Sequence, residues 1–273
     1  MKKILLCLPF LILGMGGALS QEKSDVRANS EALLYAYLSQ DSTKIYSSWH
    51  LDKGELLNLS DLLQLQHDVF GKPSFPKTYS YSETYSITEK YTSTILEMDD
   101  IFDQHPSATL RLRTFKGKKR KSILQIDDIR IQTKISNEFL DSLSAPYLEL
   151  IAHNEIDSLV SLAFKAELFR KSLHQLEKNG SKKEIKNAKE SRQMMESMME
   201  MTRKPLASID SLTKPHFQDA TIKLKKGVPR LTLTFIYPEE KEKVCSFVFV
   251  RSENAYRLSS IGTAIRGGGF DDF

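Results

Sequence analysis

The chain has very little cysteine. Only Cys7 and Cys245 occur among its 273 residues, and Cys7 lies in an apolar N-terminal run that we predict is removed. A single remaining cysteine excludes an intramolecular disulfide, even in an oxidising compartment. Stability must therefore come from packing.

Motifs for the common catalytic chemistries are also missing. The six histidines are scattered, with no His-Glu-x-x-His and no pair at helical ligand spacing. Cys-x-x-Cys, Gly-x-Ser-x-Gly and a phosphate-cradling glycine loop do not occur. We predict no catalytic residue, no metal site and no cofactor.

Long apolar runs are limited to the N-terminus. Lys2 and Lys3 precede an apolar run at residues 4–13, and small residues follow up to Ser20. This order predicts a signal peptide at residues 1–20 and export to the periplasm or the extracellular space. A lipid anchor would need a cysteine at the end of the run, whereas Cys7 lies inside it. No later stretch is apolar enough to predict a transmembrane segment.

Excess charge of one sign is small. The formal net charge of +4 falls to +2 without Lys2 and Lys3, which predicts no nucleic-acid partner. Residues 111–121 are locally basic, with seven basic residues in eleven. They fit an anion, lipopolysaccharide or nucleic-acid contact, but only Phe115 is interleaved for stacking. We favour a solvated hairpin whose lysines protect a sheet edge.

Two stretches of alternating apolar residues dominate the rest of the chain. Residues 230–250 contain two β-like runs joined by a charged turn, and residues 108–128 repeat the pattern at an offset of 121 residues. We interpret the pair as a duplicated hairpin. Alternation predicts a buried Cys245 within a core face that consists of Leu231, Leu233, Phe235, Phe247 and Phe249.

Helix-like segments precede strand-like segments in each half of the chain, which predicts an α+β fold of two units. The units are residues 21–134 and 135–266, followed by a flexible tail at 267–273. Predicted helices occupy residues 24–38, 42–49, 60–70, 144–151, 158–179 and 181–204. Predicted strands occupy residues 78–88, 91–97, 108–128 (as a hairpin), 129–134, 220–224, 231–237, 244–250 and 256–260.

Helix ends carry recognisable capping residues. Asp41-Ser42 and Asp157-Ser158 are predicted N-caps, and Gly71 and Gly180 are predicted stops. Ser181 and Glu184 match a capping box. Pro146 is placed in the first turn of its helix, where proline is tolerated.

Three sequence stretches resemble the cystatin-like, nuclear-transport-factor-like (SnoaL-like) fold. They are residues 32–38 followed by Asp41-Ser42, residues 68–71 ending in glycine, and residues 256–262. The resemblance implies a curved sheet that wraps around a helix and forms a conical pocket. Members include enzymes, ligand binders and interaction modules, so it does not fix a function. The long helical pair at residues 158–204 departs from the pattern.

Aromatic residues of the first half are the candidate lining of such a pocket, with a small apolar ligand as the expected occupant. An ordinary core role is the alternative. The candidates are Tyr35, Tyr46, Trp49, Tyr81 and Tyr85.

Methionines form a double stripe on one predicted helix, because residues i, i+1, i+4 and i+5 project together. The stripe suits a helix-pair seam, an adaptable partner groove, a homodimer contact through the helical arm, or Cu(I) ligation. It consists of Met194, Met195, Met198 and Met199, with Met201 beside it.

Two pairs of neighbouring acids, Asp99-Asp100 and Asp127-Asp128, are predicted to mark strand ends or turns. Adjacent strand residues point to opposite faces, so neither pair is expected to share a site.

Taken together, these features predict an exported, non-catalytic binding or protein-interaction module. The alternative is a small-molecule enzyme of the same fold that uses a pocket Asp or His as acid or base.

Overall fold

The computed structural model describes residues 25–49, 57–86, 91–117, 124–225, 227–238, 242–252 and 254–265. These residues form seven helices and one eight-stranded antiparallel sheet, so the predicted α+β class is confirmed. The predicted signal peptide at 1–20 and the predicted tail at 267–273 lie outside the described residues. Within the described part, no helix is both long and apolar enough to cross a membrane.

Helices open each half of the chain and strands follow them. The helices are residues 25–38 (α1), Ser42–Ser48 (α2), Leu59–Phe70 (α3), Glu138–Ala152 (α4), Ile156–Ala163 (α5), Ala166–Asn179 (α6) and Lys182–Ala207 (α7). The strands are Ser80–Ser86 (β1), Tyr91–Met98 (β2), Thr109–Gly117 (β3), Gln125–Thr133 (β4), His216–Lys225 (β5), Val228–Tyr237 (β6), Lys243–Ser252 (β7) and Ala255–Ile265 (β8). Each predicted strand region is occupied, although the pieces predicted on either side of residue 129 form the single strand β4.

The sheet is a meander in which each strand pairs with the next along the chain. Its shortest join lies between the halves, where Arg130–Thr133 of β4 pairs with Ala220–Lys223 of β5. Buried residues from both halves belong to one continuous core. The predicted core face of β6 and β7 is confirmed, since all five of its apolar residues and Cys245 are buried.

Gly71 ends α3 in a conformation that favours glycine. Its φ is +82°, and the following amide of Lys72 donates to Asp103 Oδ1 at 2.8 Å. A Cβ on Gly71 would collide with that same carboxylate. The predicted stop is confirmed. Glycine is favoured there because a residue with a side chain would be strained at this φ and would collide with Asp103.

The start of α4 differs from the prediction. The helix begins at Glu138, so Pro146 lies inside it and not in its first turn. Asn137 caps the helix by accepting from the Leu140 amide at 2.9 Å, and its own amide group donates to the Val69 carbonyl at 2.9 Å. This tertiary anchor fixes the earlier start, and buried residues on both sides of Pro146 offset its missing hydrogen bond.

The predicted cap at Asp157 is wrong, and the helix predicted at 158–179 is two helices. The chain bends at Lys165, which has a φ of +49°. Glu155 precedes α5 without a capping hydrogen bond. Asp157 lies inside the first turn and accepts from Arg203 Nε of α7 at 2.6 Å. The matching prediction at Asp41 is confirmed, since its Oδ1 accepts from a first-turn amide at 3.1 Å.

The predicted boundary between α6 and α7 is confirmed. α6 ends at Asn179, and Ser181 and Glu184 form the predicted capping box at the start of α7. At its other end α7 continues through Pro205 to Ala207, beyond the predicted limit of 204. The two helices form an arm that packs mainly on itself and on α5.

Replacing the core residue at the join of the two halves should destabilise the whole chain. Ile222 lies opposite Ile131 across β4 and β5, and both are fully buried. We expect Ile222→Ala to lower the free energy of unfolding by about 2–5 kcal/mol, in one cooperative transition. Urea titration followed by circular dichroism measures both quantities.

Leu212→Ala is the matched control. Leu212 is 88% exposed, so the same kind of truncation should change stability by less than about 0.5 kcal/mol. Equal effects of the two substitutions, or two separate transitions in the unmodified protein, would contradict a shared core.

Candidate functional site

Only one face of the sheet joins the core. Along β6 and β7 buried residues alternate with partly exposed ones, as expected for an antiparallel sheet covered on one side. We call the alternate, uncovered set of positions the outer face. Its residues lie in rows across the strands, because antiparallel partners directly oppose one another.

The most unusual row on the outer face is basic on four neighbouring strands, and Glu97 of β2 continues it opposite Arg111. Arg111 of β3 opposes Arg130 of β4, Arg130 opposes Lys223 of β5, and Lys223 opposes Arg230 of β6. We call these four residues the cationic row. At the usual spacing of about 4.8 Å between strands, the row is about 14 Å long.

Sheet stability does not account for this row. Like charges placed directly opposite one another on a sheet are destabilising. The edge-protection hypothesis for the basic hairpin fails as well, because β3 and β4 are interior strands and the sheet edges are β1 and β8. The basic tip of that hairpin, residues 118–123, lies outside the described residues.

A neutral polar row lies two residues further along the same strands. Thr109 opposes Gln132, Gln132 opposes Thr221, and Thr221 opposes Thr232. These side chains carry hydroxyl and amide groups that donate hydrogen bonds. The cationic and polar rows together place charge and neutral donors side by side.

The two rows end at an open groove of about 620 Å³. It contains two members of the cationic row, Arg111 and Arg130, and a third cation, Lys134. The full lining is Glu97, Ser107, Thr109, Arg111, Arg130, Gln132, Thr133, Lys134 and Ile135. A groove of this size suits a small molecule.

Two arginines of the row are already partly dehydrated. The Nε atoms of Arg130 and Arg230 are buried, and neither reaches an acceptor among the described residues. Such an unpaired donor costs roughly 1–3 kcal/mol. Part of the cost of dehydrating each guanidinium is therefore met by folding, before any ligand arrives.

Asp127 and Asp128 also lie on the outer face. We predicted that this pair would mark a strand end or turn and that its two side chains would point to opposite faces, and both predictions are wrong. Both residues lie within β4, and a bulge pairs Arg113 with Asp128 but Thr114 with Ile126. Asp127 is the extra residue, so both carboxylates project on the side of Arg113. Arg113 Nη2 lies 2.5 Å from Asp127 Oδ2. The other pair follows β2, so the prediction of a strand end is confirmed there.

Burial raises the pKa of Asp128 above its ordinary value, against the opposing influence of Arg113, Arg130 and Lys223. Burial likewise raises the pKa of Asp219, whose carboxylate accepts from Thr221 at 3.3 Å. For either group, the folded state binds a proton more readily than the unfolded state. The contribution of either carboxyl group to the free energy of unfolding therefore decreases as pH rises from the unfolded to the folded pKa value. It is most favourable to folding on the acid side of that range.

The five predicted aromatic residues are dispersed. Tyr35, Tyr46 and Tyr85 are exposed, at 48%, 51% and 61%, whereas Trp49 is buried in the core. Tyr81 is partly buried, with Arg27 5.2 Å from its ring centre. None of them lines the groove, and ligand binding at these residues stays a prediction.

The methionine stripe is divided between the core and solvent. Met199 is buried and Met195 packs against the core. Met194 and Met198 are exposed, at 67% and 42%, as is Met201 at 65%. The stripe is therefore in part a packed helix seam, and a partner contact through its exposed members stays a prediction.

The covered side of the sheet offers little titratable chemistry. Its core is apolar, and among the described residues the buried polar set includes His105 but no Asp or Glu. Burial lowers the pKa of His105 and raises that of the Cys245 thiol to about 12. Among the described residues, no group of His, Cys, Asp or Glu is suited to hold a metal ion.

Comparison with known proteins gives no relative: no family model, curated protein or solved structure matches the chain. The resemblance to the cystatin-like and SnoaL-like fold therefore stays a prediction.

Removing the guanidinium beside Asp128 should raise the pKa of this carboxyl further. Arg113 lowers it, so Arg113→Gln removes an influence that favours the charged form. Carboxyl ¹³C chemical shifts recorded against pH measure the change.

Arg203→Gln is the control, because Arg203 pairs with Asp157 and Glu200 on the helices. It should leave the Asp128 titration unchanged. A lower Asp128 pKa in Arg113→Gln would show that the outer-face charges are arranged differently.

Proposed function

We propose that the protein is an exported, non-catalytic binding module and that the outer face of its sheet is the binding surface. The observation that carries the proposal is the cationic row: four basic residues directly opposed across four interior strands. An anionic ligand is the partner that would relieve their mutual repulsion.

The difference in composition between the two faces of the sheet supports this proposal. The covered face is filled by the apolar core, whereas the outer face combines charge, neutral donors and a groove. Binding at an uncovered sheet needs no conformational change and no enclosed cavity. This arrangement suits capture of a ligand better than exclusion of water during a reaction.

The rival function is a small-molecule enzyme that uses a pocket Asp or His. Asp128 is the residue that favours it, because its pKa is raised by burial and its neighbours are cations. Asp128 is not part of the groove lining, so its carboxyl is not placed against a bound molecule there. Turnover that disappears in Asp128→Asn would favour the enzyme over the binding module.

We also infer that the two halves descend from one α+β unit, at residues 21–134 and 135–266. Helices followed by four strands in each half support the inference. The hairpin offset of 121 residues does not align the halves strand by strand, since it matches β3–β4 with β6–β7. Matching by position in each half pairs β3 with β7 instead.

Reversing charge on the outer face should weaken retention of the protein on a sulfonate cation-exchange resin. Lys223→Glu combined with Arg230→Glu removes half of the cationic row and should elute at markedly lower salt. The salt concentration at the elution peak is the measurement.

Lys182→Glu combined with Lys183→Glu changes the net charge equally, at exposed positions in the first turn of α7. Acidic residues are tolerated at a helix N-terminus, and this pair should have the smaller effect. Equal shifts would mean that net charge alone governs retention, and would contradict a localised binding face.

A further inference from the structure

We propose that the groove bounded by Arg111, Arg130 and Lys134 is a binding site for a small organic anion that carries a carboxylate or phosphate group. The inference rests on the proposed binding role of the outer face and names the ligand class and the place where it binds.

The charge of the groove lining is the first argument. Arg111, Arg130 and Lys134 contribute three cations, against the single carboxylate of Glu97. Glu97 satisfies Arg111 poorly, since its Oε2 lies 3.9 Å from Arg111 Nε and its side chain is 46% exposed. A better-placed anion can therefore compete with Glu97.

The positions of the two arginines are the second argument. Arg111 and Arg130 are direct cross-strand partners, so their Cβ atoms are about 4.5–5.5 Å apart. Two neighbouring guanidinium groups offer planar forks of donors, which match the oxygen atoms of a carboxylate or phosphate. Because the Nε of Arg130 is buried, part of this side chain already lies against the sheet, which limits the order that binding must impose.

Neutral groups complete the site and favour an organic ligand. Ser107, Thr109 and Gln132 line the groove beside the arginines and can donate to further oxygen atoms. Ile135 lines the same groove and is 56% exposed. An exposed isoleucine next to three cations suits a ligand with an apolar part beside its anionic group.

The surrounding acids argue against a long polyanion. Asp127 and Asp128 lie on one side of the cationic row, and Asp219 lies on the other, four residues from Lys223 along β5. A polyanion that ran along the strands would meet these carboxylates. A small anion needs only the positions around Arg111 and Arg130, whereas Asp219 lies near Lys134. Burial raises the pKa of the Asp219 carboxyl, and Lys134 lowers it.

Titration calorimetry on the full chain at low salt tests the site, with citrate as the carboxylate probe and phenyl phosphate as the phosphate probe. We expect at least one probe to bind and Arg130→Gln to weaken that binding at least tenfold, about the value of one charge-assisted hydrogen bond. The stronger probe identifies the preferred group. Arg111→Gln should also weaken binding.

Lys183→Gln is the matched control, because it removes one charge at an exposed position in the first turn of α7, away from the groove lining. It should change affinity less than about threefold. Circular dichroism of each variant establishes that it is folded, and Arg111→Gln provides the same test if Arg130→Gln does not fold.

Equal losses in Arg130→Gln and Lys183→Gln would overturn the groove as a site, because binding would then follow net charge alone. The groove would also be overturned as a site if a sulfated hexasaccharide bound the unmodified protein and neither small probe did. The proposed function itself fails only if the resin experiment also shows no dependence on Lys223 and Arg230.

Discussion

The pairing of β4 with β5 is the interaction on which the rest of the molecule depends. It joins Arg130–Thr133 to Ala220–Lys223 and is the shortest ladder of the sheet. On its covered side Ile131 meets Ile222, which makes the core continuous between the halves. On its outer side Arg130 meets Lys223. One short ladder therefore sets both the core and the cationic row, and a slip of one residue would exchange the two faces.

A bulge in the neighbouring ladder limits the row on one side. Because Asp127 is an extra residue opposite Arg113 and Thr114, two consecutive carboxylates reach the outer face. They neutralise Arg113, whereas Arg111 keeps only the distant Glu97. Without the bulge, one acid would point into the core. The irregularity thus places the ion pair of Asp127 with Arg113 beside the cationic row, where Asp128 also interacts with Arg130 and Lys223.

Local features of the fold were predictable from sequence, and features that depend on register were not. The cap at Asp41, the stop at Gly71 and the core face of the β6–β7 hairpin carry signals in residues close in the chain, and all are confirmed. Asp103 reinforces the stop at Gly71. The start of α4 depends on the carbonyl of Val69, and Asp157 lies inside the first turn of α5 and pairs with Arg203. Such contacts carry no local signal, so tertiary partners override the capping preference there.

The cationic row was hidden for the same reason. In sequence each member is an ordinary polar residue between apolar ones, as in Ile129-Arg130-Ile131, which predicts a solvated strand position. Only the pairing of strands 93 residues apart places Arg130 against Lys223. Once they are opposed, their repulsion must be offset by flanking acids, by solvent or by a ligand. Glu97 lies opposite Arg111 at one end of the row, and Asp128 lies beside it. The Nε atoms of Arg130 and Arg230 are buried without an acceptor among the described residues. A bound anion would lower the energy of this face further, which makes the row a reason to seek a ligand and not only a property of the surface.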